Sequence, residues 1–188
     1  MGNTENLECI KVVTDEDFGL ENTPLVNPYK RYGARGIIYR EDGKVALLYK
    51  EKMNEYKLVG GGIDEGETPI EAFERECMEE AGVELINITP LGYTEEKKGR
   101  TDFYQKSYVF MGEVSFDTGE VHFTEKEKGE GAKIVWVSID EAMNLLGSSL
   151  DNLLDSPVDE SESLYSTRFV VYRDRCIMEH YISKTKNT

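Results

Sequence analysis

The stretch from Gly60 to Val83 is the most heavily punctuated part of the chain, and it limits what the rest can fold into. Gly60-Gly61-Gly62 interrupts any regular element. Thr68-Pro69-Ile70-Glu71 then places a capping hydroxyl, a proline at the first helical position and a Glu three residues after the cap, and Gly82 supplies a stop. A helix is predicted between them. At roughly 100° per residue, Ile70, Phe73, Cys77 and Ala81 share one face, while Glu76, Glu79 and Glu80 share the neighbouring one. One side of this helix must pack on an apolar layer; the other gathers negative charge.

The apolar layer reads as sheet. Gly36-Ile37-Ile38-Tyr39 and Val45-Ala46-Leu47-Leu48-Tyr49 flank Asp42-Gly43, a hairpin signal. Tyr56 to Val59, Asp102 to Val114 and Lys133 to Val137 are further expected strands, with a short one at Glu8 to Val13. Ser138-Ile139-Asp140-Glu141 opens a second helix towards Leu146, and Phe169, Tyr172, Cys176, Ile177 and Tyr181 mark an amphipathic C-terminal helix. Glu95 to Arg100 and Glu125 to Gly131 are expected as charged loops, and Asp151 to Ser163 as irregular. This order of elements predicts an α/β fold with a mixed sheet between helices.

Composition narrows the function. The 22 Lys and Arg residues against 37 Asp and Glu give a net charge of −15 over 188 residues, which argues against a phosphate-tracking surface for nucleic acid. Cys9, Cys77 and Cys176 lack the spacing of a disulfide framework or zinc site. They are expected as small core hydrophobes in a reducing compartment. The polar N-terminus and the absence of a run of ~18 apolar residues predict a cytoplasmic protein with no membrane partner.

Three carboxylates at i, i+3 and i+4 repel one another on a helix. On its own such a face is most often solvated surface. A divalent cation would remove the repulsion, and Mg²⁺ or Mn²⁺, which prefer oxygen ligands and keep several waters, suit a substrate whose phosphates complete the shell. Arg75, four residues before Glu79, is placed to orient that carboxylate. His122 and His180 are expected as surface or packing residues.

Read as one unit, Gly61 to Val83 resembles the Nudix box, G-x5-E-x7-R-E-U-x-E-E-x-G-U, where U is a bulky aliphatic. Gly61, Glu67, Arg75, Glu76, Glu79, Glu80, Gly82 and Val83 match, with Cys77 at a U position and Val59 where a proline is common. Ile134-Val135-Trp136-Val137-Ser138 resembles the family's apolar-Trp strand before a helix.

The resemblance implies a Nudix-type α/β/α sandwich that hydrolyses the diphosphate linkage of a nucleoside diphosphate derivative, with Mg²⁺ or Mn²⁺ as cofactor. It implies Glu76, Glu79, Glu80 and the Gly60 carbonyl as metal ligands, Gly61, Glu67 and Gly82 as the residues that hold the box geometry, and Glu79, Glu76 and Arg75 in catalysis. A later Glu serves as ligand or base, Glu130 first and Glu127 or Glu125 after it. The expected organisation is an extension at 1–31, the Nudix domain at 32–155 and a helical extension at 156–188. Homodimerisation through the C-terminal stripe is a further expectation. ADP-ribose or a sugar nucleotide is the favoured substrate type. A modified nucleoside triphosphate, a non-catalytic nucleotide sensor or an isomerase on the same fold are the alternatives. Tyr93, Phe103 and Tyr104 are candidates for stacking on a base.

Overall fold

A computed structural model of the protein describes residues 6–155 and 161–185. The strands are β1 (Cys9–Thr14), β2 (Tyr29–Tyr39), β3 (Val45–Lys50), β4 (Glu55–Lys57), β5 (Val59–Gly62), β6 (Val83–Lys98), β7 (Phe103–Asp117) and β8 (Ala132–Val137). The helices are α1 (Pro69–Glu76, continued by a π-turn over Cys77–Ala81), α2 (Glu125–Glu130), α3 (Ile139–Leu154) and α4 (Glu162–Thr185). The strands form one mixed sheet in the order β1-β6-β7-β2-β3-β4, with β5 paired to β2 and β8 to β3. β1 runs parallel to β6 and β2 parallel to β7; the remaining pairs are antiparallel.

Alternation along β2 assigns its side chains to two layers. Ala34 and Ile38 face α1 and pack with Phe73, Cys77 and Phe110. Ile37 faces the other way, into a core of Leu47, Val109, Leu146, Ile177 and Met178 under α3 and α4. The result is the α/β/α sandwich with a mixed sheet that the sequence predicts. Tyr39 pairs with Val45 across the Asp42-Gly43 turn.

Several local expectations are corrected. Glu95 to Lys98 are not loop but the end of the 16-residue strand β6, whose charged residues mask the alternation in the sequence. Lys126, Lys128 and the capping Thr124 support a short helix in place of the expected loop. Leu58 separates β4 from β5, so Tyr56 to Val59 is two strands. The second helix continues past Leu146 to Leu154 because Leu150 is buried, and residues 156–160 lie outside the described residues. Cys77 is core, whereas Cys9 is exposed.

The segment before residue 32 enters the sheet through β1 and the start of β2. The apolar stripe of α4 is covered within the chain: Phe169 packs with Val13 and Tyr165, and Ile177 and Tyr181 with the α3 core. Among the described residues no helix is long and apolar enough to cross a membrane.

The sheet face beneath α4 also carries charge. Arg173 of α4 pairs with Glu96 of β6 and donates to Asp174 Oδ1 at 2.9 Å. Lys98 Nζ lies 3.0 Å from Glu96, and Asp174 Oδ2 accepts from the Leu58 amide at 2.9 Å. Buried charges are tolerated when paired in this way.

Candidate active site

The box helix is built as its punctuation predicts. Thr68 caps the helix by accepting from the Glu71 amide, and Glu71 returns the bond to the Thr68 amide at 2.8 Å. Phe73, Cys77 and Ala81 are buried. Burial pushes the Cys77 thiol well above the ordinary range, so it is not a nucleophile. The last turn widens to a π-turn before Gly82 ends it at φ 65°. Such π-turns alter side-chain direction at functional sites. Here Glu80 is buried at 4% exposure while the Glu79 side chain is 45% exposed.

The glycine triplet is there for close approach. Gly60 has φ 140°, and a Cβ on it would lie 2.4 Å from the Ala34 carbonyl oxygen. At Gly61 a Cβ would sit 2.2 Å from Glu76 Oε1. Only hydrogen at that position leaves room for the Glu76 carboxylate.

Arg75 ties the box together. Its Nε and Nη2 donate to the two oxygens of Glu67 at 2.9 and 3.0 Å, Nη2 donates to the Gly62 carbonyl at 2.9 Å, and Nη1 donates to Glu76 at 2.8 Å and Glu79 at 3.3 Å. Its hydrogen bonds to Glu67 and Glu76 hold the guanidinium charged and hold Glu67 below the usual carboxylate range. Glu80 Oε2 accepts from the Gly60 amide at 2.9 Å, and Lys57 Nζ stands 3.6 Å from Oε1. Burial outweighs both and pushes Glu80 up to about 7. Glu76 is also raised by burial, against the pull of Arg75.

Gly60, Gly61, Glu76, Glu79 and Glu80 line one cavity of about 380 Å³. Glu127 lines it beside Glu80, whereas Glu130 is held in ion pairs with Lys50 at 2.8 Å and Lys126 at 3.9 Å. Thr124 caps α2, and its amide donates to Glu127 Oε2 at 2.9 Å. Glu125 is exposed and bound to Lys128 at 2.7 Å.

His122 also lines this cavity, and its amide donates to the Glu79 carbonyl at 2.6 Å. Sequence reasoning places it at the surface or in packing, and no local pattern marks it. Arg31, Arg35, Lys57, Gln105 and Arg173 complete the lining and escape the sequence reading likewise. The Arg31-x-Gly33-x-Arg35 alternation is the signal that β2 sends two cations to the α4 face. Of the aromatic candidates, Phe103 borders the neighbouring cavity and stacks with Tyr29 at 5.9 Å. Lys106 covers Tyr93, and Tyr104 engages Glu95.

The donor set is hard oxygen throughout, which suits Mg²⁺ or Mn²⁺ rather than a thiophilic metal. Among the described residues no three His, Cys, Asp or Glu side chains converge as a ready-made cage. A cation that takes one or two carboxylates and completes its shell from water and phosphate fits this arrangement.

The fold is an α/β/α sandwich that sets a capped carboxylate helix beside a glycine turn. The family model described as NUDIX domain matches residues 29–155, so the chain belongs to the Nudix family. An RNA pyrophosphohydrolase of Xanthomonas campestris pv. campestris is 37% identical over 59 residues, which cover 29% of each chain. A putative 8-oxo-dGTP diphosphatase of Bacillus subtilis is 28% identical over 106 residues, 56% of this chain and 65% of the relative. The chain thus spans less than two thirds of these relatives' lengths. A NUDIX hydrolase structure from Nitrosomonas europaea aligns with a TM-score of 0.55 at 19% identity, covering 83% of this chain and 90% of the other, a likeness of fold.

Proposed function

We propose that the protein is a Mg²⁺- or Mn²⁺-dependent Nudix pyrophosphohydrolase that cleaves the diphosphate of a small nucleotide derivative by attack of water on phosphorus. The observation that carries this reading is that Glu76, Glu79, Glu80 and Glu127 line one cavity, with Arg75 bridging the first two. Glu76, Glu79 and Glu80, with the Gly60 carbonyl, would hold the cation, one or two of the carboxylates directly and the rest through water, with Glu127 beside Glu80 as a further carboxylate. When bound, the cation supplies neutralisation of the diphosphate oxygens.

The chain's own residues do the rest. Arg75 keeps the Glu76 and Glu79 carboxylates aligned across the mouth of the cavity. Glu79, the most exposed of the three, accepts the proton of the attacking water at a carboxylate oxygen as the new P–O bond forms and the bridging P–O bond breaks. Arg31 and Lys57 line the same cavity and offset phosphate charge there. The name of the Bacillus subtilis relative extends the candidates to a modified nucleoside triphosphate, beside ADP-ribose and sugar nucleotides.

A panel of nucleotide diphosphates and triphosphates, incubated with and without Mg²⁺ and followed by release of phosphate or nucleoside monophosphate, tests the proposal. Metal-dependent cleavage of at least one member supports it. Undiminished turnover in excess EDTA, or no cleavage of any member, overturns it.

A further inference from the structure

A second cavity of about 550 Å³ opens beside the first, between the sheet and the N-terminal half of α4. The two share Arg31, Lys57, Gln105 and Val170 in their walls, so they are contiguous. The second contains none of the carboxylates of the box.

Its walls are cationic in a chain of net charge −15. Arg31, Lys50, Lys57, Lys98 and Lys126 line it, against Glu55 and Glu162. Lys50 and Lys126 pair with Glu130, Lys98 with Glu96 and Lys57 with Glu80, and Glu55 in the cavity wall lies near Lys50 and Lys57. Arg31 has no ion pair among the described residues. Ser163, Ser166, Thr167 and Thr101 add hydroxyl donors.

A second observation comes from the first cavity, with which the second is contiguous. Under α4, Arg35 and Arg173 line the first cavity and Lys98 the second, all three buried, with Glu55, Glu80, Glu96 and Asp174 as buried carboxylates around them. Arg35 Nε is buried without a hydrogen-bond partner, and Asp174 is 3.8 Å from Arg35 Nη1. Burial and the neighbouring Arg173 lower Arg35 to about 10, still charged at neutral pH. A buried donor without a partner is costly unless an acceptor answers it.

We propose that this annex binds a phosphate group of the substrate other than the scissile diphosphate, so that the preferred substrates are small nucleotide derivatives bearing an additional phosphomonoester. This rests on the hydrolase reading for its substrate, while the anion site itself does not. Hydroxyl, ammonium and guanidinium donors lining one cavity are the chemistry of phosphate recognition.

The test uses metal-free protein, inorganic tripolyphosphate as probe and titration calorimetry, with Ser166→Glu and Glu79→Gln as variants. Ser166→Glu adds a carboxylate to the annex wall at a half-buried helical position without removing an ion pair. The expected result is binding that weakens at least tenfold in Ser166→Glu, weakens with rising salt, and does not weaken in Glu79→Gln. Equal affinity in wild type and Ser166→Glu overturns the annex. In parallel, KM is compared for NADPH against NADH and for coenzyme A against dephospho-coenzyme A, pairs that differ by one phosphomonoester. A preference of at least tenfold for the phosphorylated member, reduced towards one in Ser166→Glu, supports the proposal; no preference in either pair overturns the substrate assignment. Probe binding that depends on Ser166, with no hydrolysis of any nucleotide, retains the annex and removes the hydrolase reading. Hydrolysis with probe binding indifferent to Ser166→Glu does the reverse.

Discussion

Replacing Arg75 with Ala removes one side chain that answers three carboxylates. The guanidinium makes two hydrogen bonds to Glu67, one to the Gly62 carbonyl, one to Glu76 and a longer one to Glu79. The Glu67 and Glu76 side chains are only 15% and 13% exposed, so water compensates them poorly, whereas Glu79 at 45% exposure loses little. Hydrogen bonds to charged groups contribute roughly 1.5–3 kcal/mol each, but bonds made by one side chain do not add. Arg75 is itself 28% exposed, which brings the expected loss to about 3 kcal/mol, the low end for removing one partner of a buried pair. For a domain of this size that lowers Tm by roughly 6–12 °C. Arg75→Lys, which keeps the charge and loses the planar fork, should lie between. Thermal unfolding followed by circular dichroism in EDTA, and again with saturating Mg²⁺, measures both effects. The decrease should shrink with the cation, which takes over neutralisation of Glu76 and Glu79. A fall in Tm of under about 2 °C in EDTA, or one that Mg²⁺ leaves unchanged, would refute the claim that Arg75 holds the box by charge.

Glu79→Gln keeps side-chain shape and helix propensity, so Tm should hold while turnover falls by on the order of 10² or more, measured on any nucleotide the parent cleaves. Gly61→Ala drives a methyl group into Glu76 Oε1, and should raise the Mg²⁺ concentration needed for half-activity by about tenfold or more while leaving the circular dichroism spectrum intact. Burial alone raises Glu96, but Arg173, Lys98 and Arg35 outweigh it and hold its folded pKa below the ordinary 4.5. Its contribution is therefore present above about pH 4.5 and is lost as pH falls through the folded value. Glu96→Gln should accordingly be about 3 kcal/mol less stable at pH 7, with the gap closing towards pH 3 in urea unfolding; a gap independent of pH would contradict this.

Local chemistry makes the box helix legible in the sequence alone. Thr68, Pro69, Glu71 and Gly82 act on their own near neighbours, and the periodicity of Phe73, Cys77 and Ala81 needs only an apolar layer to meet. The box spacing likewise identifies the acidic face, the family and the fold class. Which downstream carboxylate lines the cavity is not legible in this way: Glu125, Glu127 and Glu130 share composition and neighbourhood, and the Thr124 cap together with the ion pair of Lys50 with Glu130 separates them. The end of β6 is hidden because Glu96 and Lys98 look like loop charges until α4 supplies Arg173 and Asp174 to bury them. The cationic floor is invisible for the same reason. Arg31 and Arg35 lie on β2, Lys98 on β6, and Arg173 on α4, far apart in the chain. Short-range capping and periodicity are encoded residue by residue, whereas the pairing of charges across a sheet depends on register and on which helix closes over it, and so is decided only in the tertiary structure.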